Sequence, residues 1–174
     1  MPTTPIRLER FLPYRLSVLS NIVSSAIAAA YRQRFALTIP EWRVLAVLAR
    51  YPGLAAREVA ERTQMDAVAV SRAVTRLLRD GRLRRTRARA DRRRSVLQVS
   101  DAGAAVYGKI APLALRYEQA LLDGLTPAER ASVDRALGKL TERARLLARQ
   151  LESGPATDAR SGSSVRRLRK RRAP

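Results

Sequence analysis

The sequence contains no cysteine and no histidine. The first absence removes disulfides, thiol redox sensing and thiolate metal sites. The second removes the commonest metal ligand and general base. No paired-carboxylate constellation, Gly-rich phosphate loop, metal-ligand cluster, Ser/His/Asp arrangement or internal repeat is present in the sequence. The chain is therefore not expected to be an enzyme, nor to hold a metal or cofactor. Long hydrophobic runs are missing too. The most apolar stretch, Leu16 to Tyr31, is too short to span a bilayer and is broken by Ser17, Ser20, Asn21, Ser24 and Ser25. The opening MPTTPIRLER has no apolar core behind a basic head, so no secretory signal is expected. These features predict a soluble, cytoplasmic protein. Negative charge is also scarce: 15 acidic residues stand against 35 basic ones, a net charge of +20.

That excess needs a polyanion, either nucleic acid or an anionic membrane surface. Seven basic residues against Asp158 put +6 of it between Ser153 and Pro174, leaving +14 for Met1 to Glu152. The chain has 174 residues, of which 46% are hydrophobic. That suffices for one domain with a core, or for two small lobes sharing one.

Leu8 to Phe35 reads as one long helix. Leu12, Leu16, Leu19, Val23, Ala26 and Ala30 recur at helical spacing, and Phe11, Ile22 and Ile27 widen the face beyond the need of one neighbour. Thr38-Ile-Pro-Glu41 is a capping box that opens a second helix. That helix carries Trp42, Val44, Leu45, Val47, Leu48 and Tyr51 on nearly all sides, which places it between layers. A short third helix runs from Ala55 to Thr63. Its cap is weak, because Ala55 stands where Ser or Thr would complete a box with Glu58. After Gln64 and Met65, Asp66 caps a fourth helix, Ala67 to Asp80, with Val70, Val74, Leu77 and Leu78 as its buried stripe. Gly81 stops it.

Two short strands follow, Leu83 to Arg87 and Ser95 to Val99, with Leu97 and Val99 expected to point inward. Ser100 caps a fifth helix, Asp101 to Asp123, which Pro112 is expected to interrupt and kink. Thr126-Pro-Ala-Glu129 is a second capping box. Its helix, running to Leu151, carries a heptad seam of Val133, Leu137, Leu140, Ala144, Leu147 and Leu151. After Ser153 the composition reads as a disordered basic tail.

A short helix, a tight turn, a capped second helix and a two-stranded hairpin make a winged helix-turn-helix. The fold expected is mainly α with a small β-hairpin wing: a winged helix-turn-helix core plus a helical dimerisation lobe. The expected domains are an N-terminal dimerisation helix (residues 1–37), a DNA-binding domain (38–100), C-terminal dimerisation helices (101–152) and the basic tail (153–174). On the fourth helix, small Ala67, Ala69 and Ser71 let the backbone approach a major groove, and Arg72 and Arg76 reach base edges or phosphates. Val68, Ala69, Ser71, Arg72, Thr75 and Arg76 are the helix residues expected to meet DNA. Between Arg72 and Arg94 stand eleven arginines against Asp80 and Asp91, a charge of +9. A membrane-binding segment would set bulky apolar residues beside those charges. Here the apolar residues are spent on the core stripe, so no membrane partner is expected.

At the hairpin tip, "DRRR", arginine suits a narrow minor groove, where the potential is most negative. Asp91 can pair with Arg93 and limit its rotamers, while Arg92 and Arg94 take flanking phosphates. The alternative is a solvated charge run with no partner.

The run "LTIPEWRVLAVL…AREVAERTQMDAVAVSRAVTRLLRDGRL…DRRRSVLQVSDAG" resembles the MarR family of bacterial transcriptional regulators, over roughly Phe11 to Leu151. The resemblance implies an obligate homodimer whose N- and C-terminal helices build the dimer lobe. It also implies Arg93 as the minor-groove residue with Asp91 as its partner. Members usually repress nearby operons, and many release DNA on binding a small aromatic or phenolic acid. Three departures stand out: Gln64 where glycine is common, Ala55 without a capping hydroxyl, and the added tail.

Effectors in such a family bind between the dimer and DNA lobes. Tyr14 and Arg15 at the head of the first helix, and Trp42 on the second, are the candidates, since an arginine beside aromatics suits a planar carboxylate. The competing assignment makes Trp42 plain core and Arg15 a surface residue. The function expected is a ligand-responsive repressor that binds double-stranded DNA at a pseudo-palindromic operator. The alternative is a non-specific, architectural nucleic-acid-binding protein driven by charge.

Overall fold

The structure, a computed structural model, describes residues 5–87 and 95–152. The elements run in the order α1 (Leu12–Phe35), α2 (Ile39–Arg50), α3 (Ala56–Thr63), α4 (Ala67–Arg79), β1 (Leu83–Arg87), β2 (Ser95–Val99), α5 (Asp101–Leu122) and α6 (Pro127–Glu152). The fold is mainly helical with one antiparallel hairpin, as the sequence predicts. The chain forms two compact units, Met1–Gly124 and Leu125–Pro174.

The first unit is built around one core. Ala28 and Tyr31 of α1, Val44, Leu45 and Leu48 of α2, Val59 of α3 and Ile110 of α5 meet the buried face of α4 there. That face is Val70, Ala73, Val74 and Leu77, spaced three and four apart. The capping box of α2 forms with both bonds. The Thr38 N–H donates to Glu41 Oε2 at 2.8 Å, and the Glu41 N–H donates to Thr38 Oγ1 at 3.4 Å. Ser100 Oγ caps α5 by accepting from the Gly103 N–H at 3.1 Å, and α5 runs past Pro112 without a break.

Besides the uninterrupted α5, where Pro112 predicts a break in the helix, two details depart from expectation. Helix α1 starts at Leu12, not Leu8; Leu8–Arg10 is a separate 3-10 turn, and Phe11 between them is extended. Proline lacks an N–H, and its ring clashes with the carbonyl four residues back, so Pro13 fits only the first turn and the helix cannot extend upstream through it. In β2, Val96 and Leu97 are the buried pair, and Val99 is half-buried. The strand is also paired on its second edge. The Leu97 N–H donates to Leu54 O at 2.8 Å and the Gly53 N–H to Leu97 O at 3.0 Å, so β2 lies between β1 and Leu54. Adjacent residues point to opposite faces of a strand, so burial of both Val96 and Leu97 means that both faces are covered at that point and simple alternation fails.

Ala36, just after α1, sits in the left-handed region at φ +50° and is exposed. A residue with a Cβ is disfavoured there by about 1–2 kcal/mol, part of which glycine returns through its freer unfolded chain. Ala36→Gly is expected to raise stability by about 0.5 kcal/mol or slightly more. Urea denaturation at fixed protein concentration measures this, and a fall in the midpoint would contradict it.

The second unit is described through α6. Its capping box forms as predicted: the Thr126 N–H and hydroxyl both donate to Glu129 Oε2, at 2.8 and 2.7 Å. These bonds hold the Glu129 carboxyl below its usual range, the side-chain bond contributing most. Every residue from 131 to 151 is exposed, the predicted seam included.

Candidate nucleic-acid interface

Helices α3 and α4 are joined by a turn whose geometry rests on Gln64, left-handed at φ +52°, where the sequence lacks glycine. Its side-chain amide donates to Glu61 O at 2.5 Å, closing the end of α3. The start of α3 is half-capped: the Ala55 N–H donates to Glu58 Oε2 at 2.7 Å, and Ala55 has no side-chain oxygen to return a bond. Helix α4 is fully capped. Asp66 Oδ1 accepts from the Val68 and Ala69 N–H groups at 2.9 and 3.0 Å. The turn and the cap aim the first turns of α4 outward.

On α4, Val68 is 55% exposed, and Ser71, Arg72, Thr75 and Arg76 are exposed with it, while Ala69 is half-buried. The three arginines of α4 stand in different states. Arg79 pairs with the adjacent Asp80 at 3.0 Å, on the surface. Arg76 Nη1 lies 3.5 Å from Glu41 Oε1, whose side chain is 5% exposed. Arg72 has no ion pair with a described residue.

The hairpin is paired in the register Leu83↔Val99 through Arg87↔Ser95. Arg84, Arg85 and Arg87 are exposed on β1, and the Arg84 Nε donates to Gln98 Oε1 at 3.3 Å. Asp91, Arg92, Arg93 and Arg94, the predicted tip, lie outside the described residues, as does the tail from Ser153. The base of the hairpin is tied into the core unit. Arg82 Nη2 donates to Phe35 O at 2.6 Å, at the C-terminus of α1, where a cation is favoured. Arg82 O accepts from the Ser100 N–H, and Ser100 Oγ donates to Gly81 O.

The predicted effector residues are split. Tyr14 and Arg15 line a shallow groove of about 490 Å³ along α1, with Leu12, Leu16 and Val18. Trp42 does not line it. Its indole lies between Tyr31 (centroids 5.8 Å apart) and Tyr107 (5.7 Å, stacked), joining α1, α2 and α5. Burial raises the Tyr31 phenol above its ordinary value, with nearby Arg32 and Arg43 opposing. Among the described residues, no group of three or more His, Cys, Asp or Glu could hold a metal ion, and no helix is long and apolar enough to cross a membrane.

Sequence reasoning missed Glu41 as a partner of α4 and Arg82 as the tie at the base of the hairpin. Glu41 is legible as a capping residue, but nothing local links it to Arg76. For Arg82 the weak signal is an arginine directly after the glycine that ends α4.

A MarR family model matches residues 37–94, the segment from just before α2 to the residue before β2. No curated protein matches the chain. Solved structures share its fold over most of its length. A MarR/EmrR family transcriptional regulator from Acinetobacter sp. ADP1 is 23% identical, covers 81% of this chain and 99% of its own, and has a TM-score of 0.75. A MarR family regulator from Silicibacter pomeroyi DSS is 26% identical, with 82% and 95% covered and a TM-score of 0.71. The PcaV regulator of Streptomyces coelicolor, solved with its natural ligand, is 27% identical, with 82% and 99% covered and a TM-score of 0.64. With its capped α4, its hairpin and the helices on either side, the chain shares the winged-helix fold of solved MarR-family regulators, and its residues 37–94 match that family's model.

Proposed function

We propose that the protein is a ligand-responsive repressor that binds a pseudo-palindromic operator as a homodimer. The observation that carries the DNA contact is the outward face of α4: small or polar, capped at its N-terminus, and set beside an arginine-rich hairpin. Val68, Ala69, Ser71, Arg72 and Thr75 face the bases of a major groove, with Arg76 further along the same face. The tip, Asp91 to Arg94, enters the adjoining minor groove. Residues 38–100 form the DNA-binding domain, and residues 1–37 and 101–152 supply the dimer lobe. Support for the dimer comes from the apolar residues that α1 and α6 each leave exposed, Leu12, Leu19 and Ile22 on one and Leu137, Leu140 and Leu147 on the other. A two-fold axis then sets the recognition helices about 34–36 Å apart, one helical turn.

The effector class is a planar aromatic acid. Its support is the pairing of Tyr14 with Arg15 in the α1 groove, and the PcaV regulator, solved with its natural ligand, supports a ligand response as such. The tail from Ser153 adds affinity through charge alone.

Arg93→Ala is expected to weaken operator binding by roughly 1–3 kcal/mol, and Asp91→Ala by less through the same side chain. Titrations of a duplex from the gene's upstream region test both. Wild-type affinity in the two variants would remove the wing from the interface. The net charge of +20 favours a second reading, a non-specific architectural binder. Preference for the operator over competitor DNA of roughly 10³-fold or more separates the repressor from it.

A further inference from the structure

Helix α2 begins on a carboxylate that serves two elements at once. Glu41 is 4% exposed. Its Oε2 accepts the Thr38 N–H at 2.8 Å, which fixes the carboxylate at the helix start. Its Oε1 faces Arg76 Nη1 of the recognition helix at 3.5 Å. Both side chains line a depression of about 340 Å³ between the start of α2 and α4, and Arg72 lines it too.

A carboxylate this deeply buried requires a counter-charge, and removing its partner leaves an uncompensated charge behind. The cap prevents Glu41 from turning to solvent, so Arg76 is the side that is held. We infer that Glu41 takes, from inside the protein, the place a DNA phosphate would take on Arg76. Arg76 is then a strut tying α4 to α2, and its charge is not one of those the protein spends on DNA. Arg72, a turn nearer the N-terminus and without an ion pair to a described residue, is the arginine of α4 that meets the nucleic acid. This fits the general geometry, in which the first turns of a recognition helix reach the base edges. Glu41 is therefore a positioning residue that trims the affinity of a very basic protein for any DNA.

The inference rests on the DNA-binding reading above, and the salt slope tests it. The probes are a duplex selected from a random pool by the full chain and a shuffled duplex of equal length. Each phosphate contact adds about 0.9 to the slope of log K against log salt. Glu41→Gln keeps an acceptor for the Thr38 N–H but removes the charge. Its slope should steepen by about 0.9, and both duplexes should bind roughly eightfold tighter at about 0.1 M salt, with their ratio unchanged. The double variant Glu41→Gln/Arg76→Gln, which leaves no buried charge unpaired, should return to the wild-type slope. A structural role for Glu41 alone would lower the melting temperature without moving the slope. An unchanged slope in Glu41→Gln overturns the inference. So does a slope in the double variant about 0.9 shallower than wild type, since Arg76 would then already hold a phosphate. A wild-type chain that binds neither duplex overturns this inference and the DNA-binding reading together.

Discussion

Gly103→Ala is expected to destabilise the protein by about 3 kcal/mol or more, near the upper end of what overpacking a close-packed site costs. Gly103 is buried in the first turn of α5. A Cβ on it would lie 2.1 Å from Arg82 O and 2.9 Å from Val99 Cγ1. The first obstacle is backbone and cannot rotate away. Arg82 O is also the acceptor for the Ser100 N–H, so shifting it breaks a bond that joins the base of the hairpin to the cap of α5. The Arg82 guanidinium, bonded to Phe35 O, would be dragged with it. A loss of about 3 kcal/mol corresponds to a fall in Tm of roughly 6–12 °C for a chain of this size. Gly108→Ala, in the same helix, is the control. A Cβ there meets nothing within 4 Å, so alanine should add up to about 1 kcal/mol through helix propensity. Thermal melts of the three proteins at one concentration decide the matter. Equal Tm for Gly103→Ala and wild type would mean the contact yields without cost.

Leu140→Glu and Leu147→Glu are each expected to abolish the dimer and operator binding with it. In the chain by itself the two leucines are 40% and 44% exposed, and no residue from 131 to 151 is buried. A helix of this length is marginal in water unless an apolar face is covered. The seam at spacings of three and four is such a face, and a second copy of the chain is its proposed cover. Burying one leucine contributes about 1.5–3 kcal/mol, and a carboxylate in its place adds a desolvation cost. Each substitution occurs in both copies, so dimer affinity should fall by roughly 10³-fold or more. Light scattering and operator titration read the two effects separately. The expected products are unfolded chains or monomers. A wild-type chain that is folded and monomeric at micromolar concentration would remove the dimer, and a variant that stays dimeric would remove α6 from its interface.

The helix ends were legible in the sequence because their signals are local. Thr38 with Glu41, Asp66, Ser100 and Thr126 with Glu129 each satisfy N–H groups two or three residues away, and the structure shows these caps formed. Both strands of the hairpin also match the predicted spans to the residue. The start of α1 was misjudged where apolar spacing was followed past Pro13, whose missing N–H overrides periodicity. The outward face of α4 could be read from its buried stripe, since one face of a helix fixes the other.

What the sequence determined by itself is the order and type of the elements, the face of α4 that meets solvent, and the concentration of arginine between Arg72 and Arg94. These depend on hydrogen bonds and apolar spacing within a few residues, and on composition. What only the tertiary structure decided is which side chains meet across elements. Val96 and Leu97, neighbours on opposite faces of β2, are both buried, and Leu54 pairs with the far edge of that strand. Trp42 lies between Tyr31 and Tyr107, away from the groove that holds Tyr14 and Arg15. Gly103 admits no side chain because Arg82 O lies against it. Arg76, one of several arginines in the sequence, is singled out by a buried carboxylate on another helix. No local pattern encodes such pairings, because they arise when the core brings distant helices into contact, and burial then makes each charge or methyl group depend on its neighbour.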